Sequence, residues 1–248
     1  MSEPRFDVHE VFAANDYLYF YGPLLTEEHT TREVQTIARL LEPAFPGRTL
    51  DVACGHGRIA NQLAGRGCTI VGLDLMPDFI DLARRDAEAR GVAATYVQGD
   101  MRQLPFKDGE FEAGINWFTA FGYFDDEDNR RVLVEVCRVL KPGGVFLLEH
   151  QNRDYVLPRL QYASVIEREG NYQIDQTHYE VSTGRLRTER TILRDGTRRQ
   201  MQFFVRSLSF PELATWLREA GFENVEGYNE EGSPLGLNSK RMIVRAQK

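Results

Sequence analysis

The chain has 248 residues, 42% hydrophobic and 27% charged, with a formal net charge of −7. That length supports a single domain of residues 1–248 with a substantial core, and the acidic balance argues against a general nucleic-acid surface. Cys54, Cys68 and Cys137 are too scattered for a disulfide framework or a metal site, and no signal core or membrane-length apolar run is present, so a cytoplasmic protein without a membrane partner is expected.

Near the start, Tyr17, Tyr19 and Tyr21 alternate with Leu18 and Phe20 before Gly22-Pro23. The run reads as a strand-like or helical anchor on the core. Thr30-Thr-Arg-Glu33 has capping-box spacing, and Val34, Ile37, Ala38 and Leu41 follow at helical intervals until Pro43 and Pro46. The stretch that organises the rest is Thr49 to Arg58. Leu50 and Val52 suit a buried strand; Gly55 and Gly57 break it and open a helix through Ile59, Ala60 and Leu63. Glycines at such a turn let backbone approach a ligand, and the helix N-terminus behind them presents unpaired N–H groups. Asp51, just ahead of them, repels a phosphate and suits a cation such as an ammonium or a sulfonium.

Thr69 to Asp74 reads as a second strand ending in an acid placed to accept ribose hydroxyls. A helix from Pro77 to Gly91 follows, packing Phe79, Ile80, Leu82 and Ala83. Tyr96 to Gln98 is a third strand with Asp100 beyond it, where a carboxylate can accept an adenine amine. A fourth strand runs from Phe111 to Trp117, and a helix from Asp126 to Leu140 has an acidic first turn. Leu140-Lys-Pro-Gly-Gly144 ends that helix and launches a fifth strand, Val145 to Glu149, leaving His150 one residue past it.

From about Ser164 the period becomes that of antiparallel strands: 165–168, 172–181, 185–193 and 198–205, with Asp195-Gly196 a two-residue hairpin signal. Ser209-Phe-Pro-Glu212 then caps a helix ending at Gly221, and 222–228 and 241–246 supply two last strands. The expected fold is α/β: a doubly wound, Rossmann-like sheet of about seven strands with the last pair reversed, and an antiparallel β cap at residues 161–206 inserted after strand five.

Asp51-x-Ala-Cys-Gly55-x-Gly57, the post-strand Asp74 and Asp100, and Leu140-Lys-Pro-Gly-Gly144 together resemble class I S-adenosylmethionine-dependent methyltransferases, strongly over residues 30–150. The glycine motif and the aromatic loop after strand four are similar to those of small-molecule tailoring enzymes, including amino-sugar and antibiotic N-methyltransferases. The resemblance implies S-adenosylmethionine as cofactor, held by Tyr21, Asp51, Ala53, Gly55, Gly57, Asp74, Leu75, Asp100, Met101, Asn116 and Phe118. It also implies an N-terminal lid at residues 1–24 and a substrate-binding cap.

Asn116 to Phe124 carries five aromatic residues where the family meets the methionine end and the acceptor; it is not Asn-Pro-Pro-Tyr, which removes nucleic acid as a substrate. Aromatic walls also shield and attract a sulfonium. Tyr17 and His150 are the catalytic candidates, Tyr17 orienting an amine and His150 serving as a base if the acceptor is a hydroxyl. No metal is expected, and a homo-oligomer is compatible with the sequence. The competing functions are a non-catalytic S-adenosylmethionine-binding regulator and a nicotinamide dehydrogenase, since Gly55-x-Gly57-x-x-Ala60 also fits a dinucleotide fingerprint.

Overall fold

The computed structural model describes residues 8–248; the first part of the expected lid segment, residues 1–7, lies outside the described residues. Helices α1 (Val8–Val11), α2 (Ala14–Tyr21) and α3 (Glu27–Leu41) precede β1 (Arg48–Val52). Then come α4 (Arg58–Ala64), β2 (Thr69–Asp74), α5 (Pro77–Arg90), β3 (Ala94–Gln98), β4 (Phe111–Asn116), α6 (Asp126–Val139) and β5 (Leu140–Gln151). A short α7 (Arg153–Val156) leads to β6 (Ala163–Arg168), β7 (Asn171–Glu180), β8 (Arg185–Arg194) and β9 (Thr197–Arg206), followed by α8 (Phe210–Glu219), β10 (Glu223–Tyr228) and β11 (Arg241–Gln247).

The first sheet has seven strands in the order β10-β11-β5-β4-β1-β2-β3. Strands β1 to β5 pair in parallel, while β11 runs antiparallel to β5 and β10 antiparallel to β11, which is the reversed last pair. Successive side chains of a strand point to opposite faces, and the burial follows that period. Leu50, Val52, Phe146 and Leu148 enter the core layer under α6 and α8, whereas Ile70, Ile115, Val145 and Leu147 enter the layer under α3, α4 and α5. Helices on both faces leave the carboxyl ends of the parallel strands as the open edge.

Strands β6 to β9 form a separate four-stranded antiparallel sheet between β5 and α8 in the chain. Its β8–β9 turn has left-handed φ at Asp195 (51°) and Gly196 (73°), the conformation an Asp-Gly hairpin favours. The tyrosine run is helical: it is α2, and Val11 and Phe20 pack with Ile192 and Met201 of this second sheet.

Two sequence expectations shift. Helix α3 starts at Glu27, with Thr26 accepting the His29 amide, because Glu33 is drawn away from a capping role to Arg58 and the Trp117 indole. Strand β5 is longer at both ends. Leu140 already pairs with Phe111, the Gly143–Gly144 turn is pinned by the backbone of Lys248, and the ladder with β11 continues to Gln151. His150 therefore lies within β5, not beyond it.

Candidate active site

The loops at the carboxyl ends of β1, β2, β3 and β4 meet α1, α2 and one face of the second sheet around a cavity of about 680 Å3. Of the residues expected to serve here, Tyr17, Tyr21, Asp51, Ala53, Gly55, Asp74, Leu75, Asp100, Met101 and Phe118 line it. Gly57, Asn116 and His150 do not. A side chain at Gly57 would strike the Tyr96 hydroxyl at 2.6 Å and Ala83 Cβ at 2.8 Å, so its role is close packing of α4. The Asn116 amide donates to the Val52 carbonyl at 2.9 Å, tying β4 to β1. His150 is completely buried, its Nδ1 2.9 Å from the Gln151 carbonyl oxygen and its Nε2 without a hydrogen-bond partner. Burial pushes its pKa down to about 4. It stands in the sheet rather than facing the cavity, because the strand continues past it.

The three strand-end carboxylates differ in state. Asp51 is buried with Oδ2 unpaired, and burial raises its pKa to about 7, against the lowering pull of Arg58 and with some help from Asp74. Asp74 accepts the Gly55 amide at 2.7 Å and the Met76 amide at 2.9 Å; burial still raises its pKa, the backbone donors opposing. Asp100 is held in a fork by Arg102, with Oδ2 contacts of 3.0 and 2.6 Å. Burial alone would raise the Asp100 pKa, but those bonds bring it below the usual carboxylate range. Gly55, by contrast, is open: a Cβ there meets nothing within 4 Å.

Backbone strain collects on the same wall. Ala53, Phe118 and Thr119 have φ of 59°, 61° and 55°, and all three line the cavity. A left-handed non-glycine residue costs on the order of 1–3 kcal/mol and persists only where its surroundings over-determine it. For 117–119 the surroundings are two carboxylate–arginine pairs. Glu33 takes Arg58 and the Trp117 indole N–H (3.0 Å), and Arg58 lies 5.1 Å from the Phe118 ring. On the other side Glu149 accepts the Thr119 amide at 3.1 Å and binds Arg241, which also donates to the Thr119 hydroxyl.

The roof is mixed. On β7 and β8, Asp175 faces Arg190 and Thr177 faces Thr188 across the ladder. Arg190 forks Asp175 with two 2.7 Å bonds, and the two threonine hydroxyls are 2.9 Å apart. Tyr21 turns its hydroxyl to this roof, accepting from Gln173 at 3.0 Å and Arg190 at 2.9 Å. Tyr17 packs 5.0 Å from Tyr21 and 5.4 Å from Phe79, and burial pushes its phenol up to about 12. Sequence reasoning missed Glu33, Arg58, Glu149, Arg241 and the Asp175–Arg190 pair. Arg58, just after the glycine turn, and Arg102, two residues past Asp100, were the signals within reach; the other partners are far apart in the chain.

Residues 49–144 match the methyltransferase domain family. This segment is a methyltransferase domain. The domain's relatives include a demethylmenaquinone methyltransferase of Thermus thermophilus, 43% identical over 101 residues that cover 40% of this chain and 44% of that one. A fatty-acid O-methyltransferase of Mycolicibacterium smegmatis is 41% identical over 120 residues, covering 47% of this chain and 41% of that one. The chain thus spans less than half the length of these curated relatives. Beyond the domain, the whole fold is shared with an S-adenosylmethionine-dependent methyltransferase of Clostridium acetobutylicum, with a TM-score of 0.79, 15% identity and coverage of 97% and 99% of the two chains.

The cavity's donor set fits S-adenosylmethionine. Asp51 offers an unpaired buried carboxylate oxygen to a cation, the open Gly55 backbone permits close approach, and each Asp74 oxygen keeps a second lone pair for a hydroxyl. Asp100 fits less well as an amine acceptor, since Arg102 occupies both of its oxygens. Among the described residues no group of three or more His, Cys, Asp or Glu could hold a metal ion, and no helix is long and apolar enough to cross a membrane.

Proposed function

We propose that the protein transfers the methyl group of S-adenosylmethionine to an amine of a small molecule held beneath the second sheet. The observation that carries this reading is one continuous cavity running from the strand-end carboxylates to the polar roof, with room for a donor and an acceptor. Asp51 would hold the donor's ammonium, Asp74 and the Gly55 turn its ribose, and Leu75 and Met101 its base. When bound, the sulfonium supplies an already activated methyl group.

The protein's part is then alignment and exclusion of water. Phe118, Tyr123 and Phe203 give the chamber apolar walls, while Asp175, Arg190, Thr177 and Thr188 offer hydrogen-bonding groups to a polar acceptor. Two ionisable side chains on the wall stay neutral near pH 7: burial, reinforced by Arg58, takes His56 down to about 4, and burial takes Tyr17 up to about 12. The wall gains little general-base strength from these two. It suits an amine, which attacks through a lone pair it already has, better than a hydroxyl of high pKa. Tyr17, which lines the cavity, would orient that amine by a hydrogen bond.

The test pairs calorimetry with mass spectrometry. S-adenosylhomocysteine should bind and NAD should not, and a panel of small amines and matched alcohols should gain 14 mass units (roughly one methylene) on the amines. Binding of NAD alone, or transfer confined to alcohols, would overturn the reading.

A further inference from the structure

We infer that Glu149 and Arg241 are positioning residues for the amino-acid end of the methyl donor, acting through the turn at Trp117–Thr119. This rests on the methyl-transfer reading above. The turn lies at the end of β4, beside Asp51 at the end of β1, and the wall there carries an unpaired carboxylate oxygen with Arg58 and Arg241 nearby. A carboxylate and guanidinium groups on one wall complement a zwitterionic α-amino acid, whose two charges need partners of opposite sign.

The turn does not hold its own shape. Two consecutive left-handed residues, one of them β-branched, are unfavourable for the chain alone. Glu149 sits on β5 and Arg241 opens β11, and both are the sheet neighbours that follow β4. Glu149 is only 4% exposed, yet it accepts the Thr119 amide and is itself fixed by Arg241. Burying the Glu149 carboxylate carries a desolvation cost, which its bonds to Arg241 and to the loop amide offset. Through it, the rigid sheet dictates where Phe118 presents its ring and where Arg241 presents its charge. Arg58 secures the opposite side, with its guanidinium 5.1 Å from the Phe118 ring against 6.0 Å for Arg241.

Glu149→Gln would deprive Arg241 of its counter-charge and endanger the fold, so the test uses Thr119→Ala, with Thr119→Ser as the conservative variant. Two probes are titrated by calorimetry: S-adenosylhomocysteine, which has the amino-acid end, and 5′-methylthioadenosine, which lacks it. Thr119→Ala should bind S-adenosylhomocysteine about three- to tenfold more weakly, bind 5′-methylthioadenosine as the wild type does, and exchange the amides of the turn faster. Thr119→Ser should restore both measurements. Equal weakening for both probes, or no change for either, would overturn the inference. A wild-type chain that binds neither probe fails at the earlier step, the methyl-transfer reading, and removes both.

Discussion

Asp74 Oδ2 accepts the Gly55 amide at 2.7 Å, so the acid at the end of β2 fixes the glycine turn at the end of β1. One carboxylate thereby serves two purposes, shaping the turn and facing the cavity. Asp74→Ala should weaken S-adenosylhomocysteine binding by about 1–3 kcal/mol, since a buried backbone donor and a ligand hydroxyl both lose their acceptor. Asp74→Asn keeps one acceptor oxygen and should recover part of that loss. Calorimetry on folded variants decides; an unchanged dissociation constant in Asp74→Ala would count against the assignment.

Asp51 makes binding depend on pH. Burial raises its folded pKa to about 7 from the ordinary 3.8 of an exposed aspartate. Between those values the unfolded chain releases the proton that the folded chain retains, so this group's contribution to stability is lost as pH rises through the window. A cationic ligand reverses the preference by favouring the carboxylate. S-adenosylhomocysteine affinity should therefore increase from pH 6 to pH 8 (about the span around that pKa), and Asp51→Asn should flatten the slope. A pH-independent wild type would show that no ammonium meets Asp51.

Local chemistry made the strands, α4, α5 and α8 legible, because each has a short-range cause: alternation in Thr69–Asp74, proline and glycine at the two ends of α5, and a Ser209–Glu212 capping box, all of which the structure contains. Asp195-Gly196 announced its turn in the same way. What stayed hidden depends on distant partners. Glu33 has capping-box spacing from Thr30, yet a stronger competitor, Arg58, lies 25 residues away. Nothing near Glu149 in sequence marks its partner Arg241, 92 positions on. His150 falls just past the strand on local pattern alone, whereas pairing with Met242 and Arg241 of β11 carries β5 on to Gln151.

The roof offers a double-mutant cycle. The Arg190 and Asp175 side chains are 8% and 16% exposed, so removing one partner strands a largely buried charge. Arg190→Met alone should destabilise the fold by about 3–5 kcal/mol, while Arg190→Met with Asp175→Leu should return to near the wild-type value or above it. Urea unfolding measures both. The double variant should keep S-adenosylhomocysteine affinity and lose acceptor methylation, as expected if this pair reads the acceptor; retained turnover would move acceptor selection elsewhere. Point variants are preferable to deleting the sheet, because α1 and α2 pack Val11 and Phe20 against it.

The last prediction separates Tyr17 from His150. Tyr17 lines the cavity with its phenol kept protonated, so Tyr17→Phe should lower turnover by about tenfold or less, the loss of an orienting bond and not of a base. His150 has no access to the cavity and one ring nitrogen without a partner. His150→Leu removes that unsatisfied nitrogen together with the Nδ1 bond to the Gln151 carbonyl, so stability near pH 7 should change by about 1 kcal/mol or less, and turnover should stay within about twofold. Its pH signature is distinct. Burial lowers the folded pKa to about 4 from 6.5, so the unfolded chain binds a proton first as the pH falls, and stability drains away between those values. His150→Leu should therefore flatten the acid limb of the unfolding midpoint against pH, while the pH profile of turnover keeps its wild-type shape. A turnover profile that loses a limb in His150→Leu would restore His150 as a participant in the chemistry.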